Sequence, residues 1–345
     1  MGKWFSRQSR RREDTPQEPA RKPYSWERAD RPDPKDYMYS DLEGVTVGKI
    51  PGTVNGQQFL IQNCKDCSIF LFDHSAAITV DDCVSCQIFV GPVKGSIFLR
   101  DCSQCRVMVA CQQFRSRDCS KMEVLLHCSS QPVIESCTKM KFGCFTASYP
   151  QLEDQFNKAG VSLVNNNWSN IHDFTPASGE INWTLLDHAS FDLPNGSAEL
   201  LEVGLSIVAE NSVTPVTVGV NQRPVGQCCL LVFINKDHVI NVNQAVQVCR
   251  HAHKKGLVLV QIQEQTLTKQ ATSDLFSSDD KIAQKASGVK LIGLEVVHDD
   301  CKTVVMAILD EVCPTREDIF VSCDPEQTSK EIELFFNAAQ NNLTL

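Results

Sequence analysis

Cysteine dominates the chemistry open to this chain. Cys64-x-x-Cys67, Cys83-x-x-Cys86 and Cys102-x-x-Cys105 recur at intervals of 19 residues, and the first two pairs alone meet the spacing of a four-thiolate zinc site. The third pair has no further pair to complete four ligands. The rhythm then continues as Cys119-x-x-Met122 and Cys137-x-x-Met140, with Met in the second place. Reduced Cys and Met are both apolar core fillers, so the pattern reads as an inward row of a repeating core rather than a metal centre. The 17 cysteines, an odd number with no secretory leader before them, point to a reducing compartment and free thiols.

A period near 18 residues is that of a solenoid coil. Cys67-Ile69-Leu71, Cys86-Ile88-Val90, Cys105-Val107-Val109 and Met122-Val124-Leu126 alternate from one register point, which predicts a strand after each repeat. A second strand is expected before each repeat, with Phe59/Ile61, Ile78/Val80, Ile97/Leu99 and Phe114/Ser116 inward. Stacked coils of this kind make a right-handed parallel β-helix, mainly β in class, with the Asn or Asp before each Cys at a corner.

The same alternation sorts the outward side chains into columns. One reads Gln62, Asp81, Arg100, Arg117, Glu135 and its neighbour Leu60, Thr79, Phe98, Arg115, Val133. With coils about 4.8 Å apart, Phe98, Gln113, Arg115, Arg117 and Glu135 form one patch. Its bland reading is a solvated sheet face with an Arg117–Glu135 ladder pair, which would be worth little. Its functional reading is a partner surface, since Arg and aromatic residues are enriched at binding hot spots.

At 345 residues and 42 % hydrophobic, the chain can build about two domains. Its longest apolar run, Cys228–Ile234, is far below the ~18 residues of a membrane-spanning helix. The net charge of −9 divides unevenly, because Lys3, Arg7, Arg10, Arg11 and Arg12 give the first twelve residues +5 and leave −14 on the rest. A repelling body on a short basic tail argues against nucleic-acid binding and for an anionic membrane surface. Met1-Gly2-Lys3-Trp4-Phe5-Ser6 fits the acceptor pattern for N-myristoylation at Gly2. One acyl chain anchors weakly, and the basic cluster supplies a second signal. Residues 1–33 are expected to be a flexible lipidated tail.

From 227 to 345 a βαββαβ order of apolar runs predicts an α/β ferredoxin-like domain. Residues 184–226, which alternate poorly, are expected to be a linker. His251 and His253 are expected at a helix surface. There is no HExxH or GxSxG, and Gly44–Ile50 falls short of a P-loop, so no nucleotide site, metal or autonomous active site is expected.

Cys111-Gln112-Gln113-Phe114-Arg115-Ser116-Arg117-Asp118-Cys119, with the Cys repeat, resembles the signature of the tubulin-folding cofactor C family. The likeness continues through Pro51–Val54, Phe72–Ser75, Val90–Ser96, Lys141–Phe145 and Trp168–Phe174, and is strongest over residues 34–183. It implies a β-helix domain over 34–183 and a nucleoside-diphosphate-kinase-like domain over 227–345, without the Asn-x-x-His-Gly motif that kinase chemistry needs. It further implies a GTPase-activating protein for a small ARF-like GTPase, ARF-like three above others, with Arg115 as an arginine finger in trans. Gln112 and Glu135 match the family's contact residues, Phe174 the place of an interface aromatic, and Arg117 a further contact. GTP and magnesium would belong to the partner, and the chain would be a monomer without a cofactor. The implied setting is the cytoplasmic face of the plasma membrane and the ciliary base, in trafficking of lipidated proteins. A non-catalytic effector or scaffold, and a tubulin-folding cofactor, are the competing readings. The family's anchor pairs the acylated Gly with Cys; here Lys3 follows, so no palmitoyl chain can join at that place.

Overall fold

The computed structural model describes residues 33–176, 181–186, 191–192, 198–277 and 279–337. The basic tail with Gly2 and Lys3 lies outside the described residues. Among the described residues, those from Tyr37 onward form one unit that holds both the solenoid and the C-terminal layer.

The predicted solenoid is present as a stack of parallel rungs. Its strands are β1 Met38–Ser40, β2 Thr46–Lys49, β3 Phe59–Gln62, β4 Ser68–Leu71, β5 Ile78–Asp81, β6 Gln87–Arg100, β7 Arg106–Arg117, β8 Glu123–Cys128, β9 Val133–Glu135 and β10 Met140–Cys144. Helix α1 (Leu152–Ala159) follows, and the chain returns to add a last rung through β11 (His172–Asp173) on β9 and β12 (Trp183–Leu185) on β10. One face stacks β1-β3-β5-β6-β7-β9-β11, the next β2-β4-β6-β7-β8-β10-β12; β6 and β7 are long enough to serve both.

Two residues per corner hold a left-handed backbone. Asn63, Asp82, Asp101, Asp118 and Ser136 precede the first Cys at φ 50–53°, and Asp66, Ser85, Gln104, Lys121 and Lys139 precede the second position at φ 53–57°. Asn and Asp tolerate this region better than other side chains. The corners stay hydrogen-bonded from rung to rung, Asp82 N donating to Arg100 O and Asp101 N to Arg117 O. Asp41 (φ 57°) and Gly44 (φ 66°) make the same corner one rung earlier, around Leu42 and Val45. That rung escapes a search for Cys.

The cysteines of the repeat fill the solenoid interior with Ile61, Val80, Leu99, Val107 and Phe114, all buried. Their thiols are occupied: Cys64, Cys83, Cys119 and Cys137 each donate to the carbonyl two residues back at 3.3 Å, and Cys102 does so at 3.1 Å. All seventeen cysteines are free.

The second face is apolar on its outside as well. Phe70, Phe72, Phe89, Met108 and Leu125 point away from the solenoid and are buried against α1 and the C-terminal layer. His127 lies on this outer side, its ring edge-on to Phe156 at 5.5 Å, and its Nε2–H donates to Ser162 O at 2.8 Å. Burial pushes its pKa down to about 4.

After α2 (Ala198–Glu202), residues 205–219, expected within the linker, are bonded to both parts. Ser206 and Ser148 exchange backbone bonds, Trp168 Nε1 donates to Thr217, and Val218 and Gly219 donate to Leu259 O and Val260 O. The C-terminal layer comprises β13 (Gln227–Phe233), α3 (His238–Lys254), β14 (Val258–Gln265), α4 (Lys269–Leu275), α5 (Asp280–Ala286), β15 (Leu291–His298), α6 (Cys301–Val312), β16 (Ile319–Ser322) and α7 (Pro325–Asn337). Its sheet is antiparallel in the order β14-β15-β13-β16. Helices α3 and α6 cover the face shared with the solenoid core, and α4, α5 and α7 the other. On α3, His253 is exposed beside Glu210, whereas His251, expected at the surface, is half-buried with Nε2 3.5 Å from Glu311. No helix among the described residues is long and apolar enough to cross a membrane.

Candidate functional site

The outward face of the first solenoid sheet carries the candidate residues, and hydrogen-bond register fixes their order. Leu60, Thr79, Phe98, Arg115, Val133 and His172 form one column; Gln62, Asp81, Arg100, Arg117 and Glu135 form the next. The backbone N–H of Phe174 donates to Ile134 O, which continues the second column to Phe174 beside Glu135. The inward neighbours brace this face: Phe114 is buried edge-on to Phe142 at 5.8 Å, and Ser116 Oγ meets Cys137 Sγ at 3.4 Å.

The patch holds three guanidinium groups in different states. Arg100 is paired with Asp81, its Nε 2.7 Å from Oδ1, which raises its pKa further; it also lies 5.3 Å over the Phe98 ring. Arg117 pairs with Asp118, Nε to Oδ2 3.2 Å, rather than with Glu135 as the ladder reading expected. Alternation assigns a side chain to a face but not to a rotamer, and the adjacent carboxylate lies within reach of that rotamer. The Arg115 side chain is exposed and makes no hydrogen bond or ion pair among the described residues. Glu135 is likewise exposed and unpaired among them.

Gln112 and Gln113 are both exposed, because the strand register breaks between Val93 and Ser96 where β7 turns from one face to the next. Gln113 belongs to the patch side, its Oε1 accepting from Ser96 at 3.3 Å. Gln112 instead lines a groove of about 740 Å³ with Gln131, Asn167 and Asn170. Phe174 is 62 % exposed, its ring edge-on to His172 at 4.5 Å. His172 is the patch member that sequence reasoning missed; the alternating His172-Asp173-Phe174 was its signal, lost because the last rung comes after a long excursion rather than an 18-residue step.

Chemically, the face offers one un-neutralised guanidinium with planar donors, flanked by aromatic rings and one free carboxylate. Such a fork matches phosphate or carboxylate oxygens in two-point contact.

Comparison with known proteins agrees with this architecture. The domain described as "Tubulin binding cofactor C" matches residues 56–174. "Protein XRP2" of Danio rerio is 44 % identical over 334 residues, covering 94 % of this chain and 88 % of that one. "Protein XRP2" of Homo sapiens is 44 % identical over 349 residues, 98 % of each chain. "Tubulin-specific chaperone C" of Homo sapiens is 31 % identical over 159 residues, 46 % of this chain and 43 % of that one. Its near full-length likeness to these relatives and its cofactor C domain show that the chain belongs to the Protein XRP2 family.

Proposed function

We propose that this chain is a GTPase-activating protein that inserts Arg115 in trans into a small ARF-like GTPase, ARF-like three being the first to test. The observation that carries this reading is the exposed Arg115 guanidinium without a partner among the described residues, on a sheet face braced by the buried Phe114 and Ser116. A guanidinium brought against the β- and γ-phosphates offsets the charge that develops during hydrolysis, worth about 10³–10⁵ in rate. Glu135, Arg117, Phe98, Phe174 and Gln113 would hold the partner's surface, with Gln112 at the corner. Nucleotide and magnesium come with the partner.

The tail would keep this activity at a membrane through myristoyl-Gly2 and its basic cluster, in the trafficking of lipidated proteins at the plasma membrane and cilium. With Lys3 in the place of Cys, that residence would be salt-sensitive. The C-terminal layer reads as ferredoxin-like and akin to nucleoside diphosphate kinases, supported by its strand order of second, third, first, fourth.

The test is single-turnover GTP hydrolysis by the partner with wild type, Arg115→Ala and Arg115→Lys. A rise of several hundredfold that both variants lose is expected. Binding of the GTP form without a rise would make the chain an effector or scaffold. The likeness to Tubulin-specific chaperone C supports a second reading, a tubulin-folding cofactor, which tubulin binding by the same face would favour.

A further inference from the structure

Seventeen thiols stand in this chain, and two of them are placed to react with each other. Cys229 on β13 and Cys323 just past β16 face each other across the sheet, one step beyond the Leu230–Ser322 pair of the antiparallel register. Residues directly opposite in such a ladder have Cα atoms about 4.5–5.5 Å apart, within the span a disulfide bridges. Their sulfurs lie 2.7 Å apart. Fifteen cysteines are buried; only Cys228 and Cys323 are half-buried. Cys228, next along β13, packs on the opposite face of the sheet, among the residues under α7. Cys323 is therefore the solvent-reached member of a thiol pair whose other member is sealed in the core.

We propose that Cys229 and Cys323 form a reversible disulfide on exposure to hydrogen peroxide. The Cys323 thiolate attacks one peroxide oxygen; the O–O bond breaks, hydroxide leaves, and the sulfur becomes a sulfenic acid, oxidised by two electrons. Cys229 then gives up its proton and attacks the Cys323 sulfur; the S–O bond breaks and the oxygen departs as water. The sum is two thiols and one peroxide giving one disulfide and two waters. The order of roles rests on the surroundings. The Cys229 thiol donating to Cys323, with the Lys302 ammonium nearby, holds the Cys323 pKa below its usual value, while Cys229 is pushed up by its thiol neighbours and burial. Cys301 also adjoins Cys229, but it is fully buried and its thiol donates to Val296 O at 3.6 Å. Cys111 and Cys128 lie 3.9 Å apart inside the solenoid, where both are fully buried.

The test uses the reduced full-length protein, treated with hydrogen peroxide, blocked with N-ethylmaleimide, digested without reductant and mapped by mass spectrometry. A cross-linked peptide joining Cys229 to Cys323 is expected, lighter by two hydrogens, with maleimide labelling of Cys323 falling at least tenfold and returning after dithiothreitol. Cys323→Ser, at a half-buried site, should abolish the cross-link. Cys229→Ser should leave a Cys323 sulfenic acid that dimedone traps. Full maleimide labelling of Cys323 in folded, peroxide-treated wild type would overturn the proposal, as would a Cys229–Cys301 bridge in its place.

Discussion

Arg117 stands opposite Glu135 in the register of β7 and β9, yet its guanidinium turns to the next residue, Asp118, 3.2 Å away. The Glu135 carboxylate is thereby left exposed and unpaired among the described residues, one column across from an equally unpaired Arg115. Both charges are therefore free to meet groups brought by a partner.

Glu135→Arg should therefore leave stability within about 0.5 kcal/mol, as for other surface changes. If the proposed function holds, affinity for the GTP-bound ARF-like GTPase should fall at least tenfold. Calorimetric titration beside a denaturant melt separates the two, and a variant that binds as tightly as wild type would remove Glu135 from the interface.

Phe114→Ala should cost about 3–5 kcal/mol, because it empties a buried site facing Phe142 directly behind Arg115. Arg115→Ala, one residue away and exposed, should cost less than about 0.5 kcal/mol. Urea unfolding of the pair checks this, and equal losses would mean that the Arg115 side chain serves the fold.

The corner residues predict a contrast between two substitutions at one place. Lys121 holds φ 55°. Lys121→Val should destabilise by about 1–2 kcal/mol, since a branched Cβ strains the left-handed region, whereas Lys121→Gly should be close to neutral. Similar melting of the two variants would contradict the left-handed corner.

His127 links stability to pH. Its folded pKa of about 4 lies below the usual histidine value of 6.5, so the unfolded chain binds the proton more readily between them. The contribution is fully present above pH 6.5 and is lost as pH falls towards 4; from pH 7.5 to 5 the loss is about 2 kcal/mol. His127→Gln, which keeps a donor for Ser162 O, should flatten this part of the profile. Denaturant unfolding at several pH values would show it, and an unchanged slope would assign the dependence to other groups.

The columns of the patch are legible in the amino-acid order alone, because a fixed repeat and a two-residue alternation together set both rung and face. Other parts are hidden for physical reasons. The first rung carries Leu42 and Val45 where later ones carry Cys, so the core keeps its apolar character while the letter changes. The buried outer side of the second face is present in Phe70, Phe89, Met108 and Leu125, but only tertiary packing shows what covers them. Helices α4 and α5 are seven residues each, too short for a periodic signal to emerge. The choice of Arg117 between two carboxylates is a matter of rotamer, which spacing does not encode.

The constant pitch of the stack has a geometric consequence. Moving a side chain from one rung to the next translates it by one strand spacing, about 4.8 Å, with little change in the direction it points. Rung number thus acts as a vernier for whatever docks on this face. An arginine carried at Thr79 rather than Arg115 would keep the same aim and sit two notches, nearly a nanometre, away from its mark.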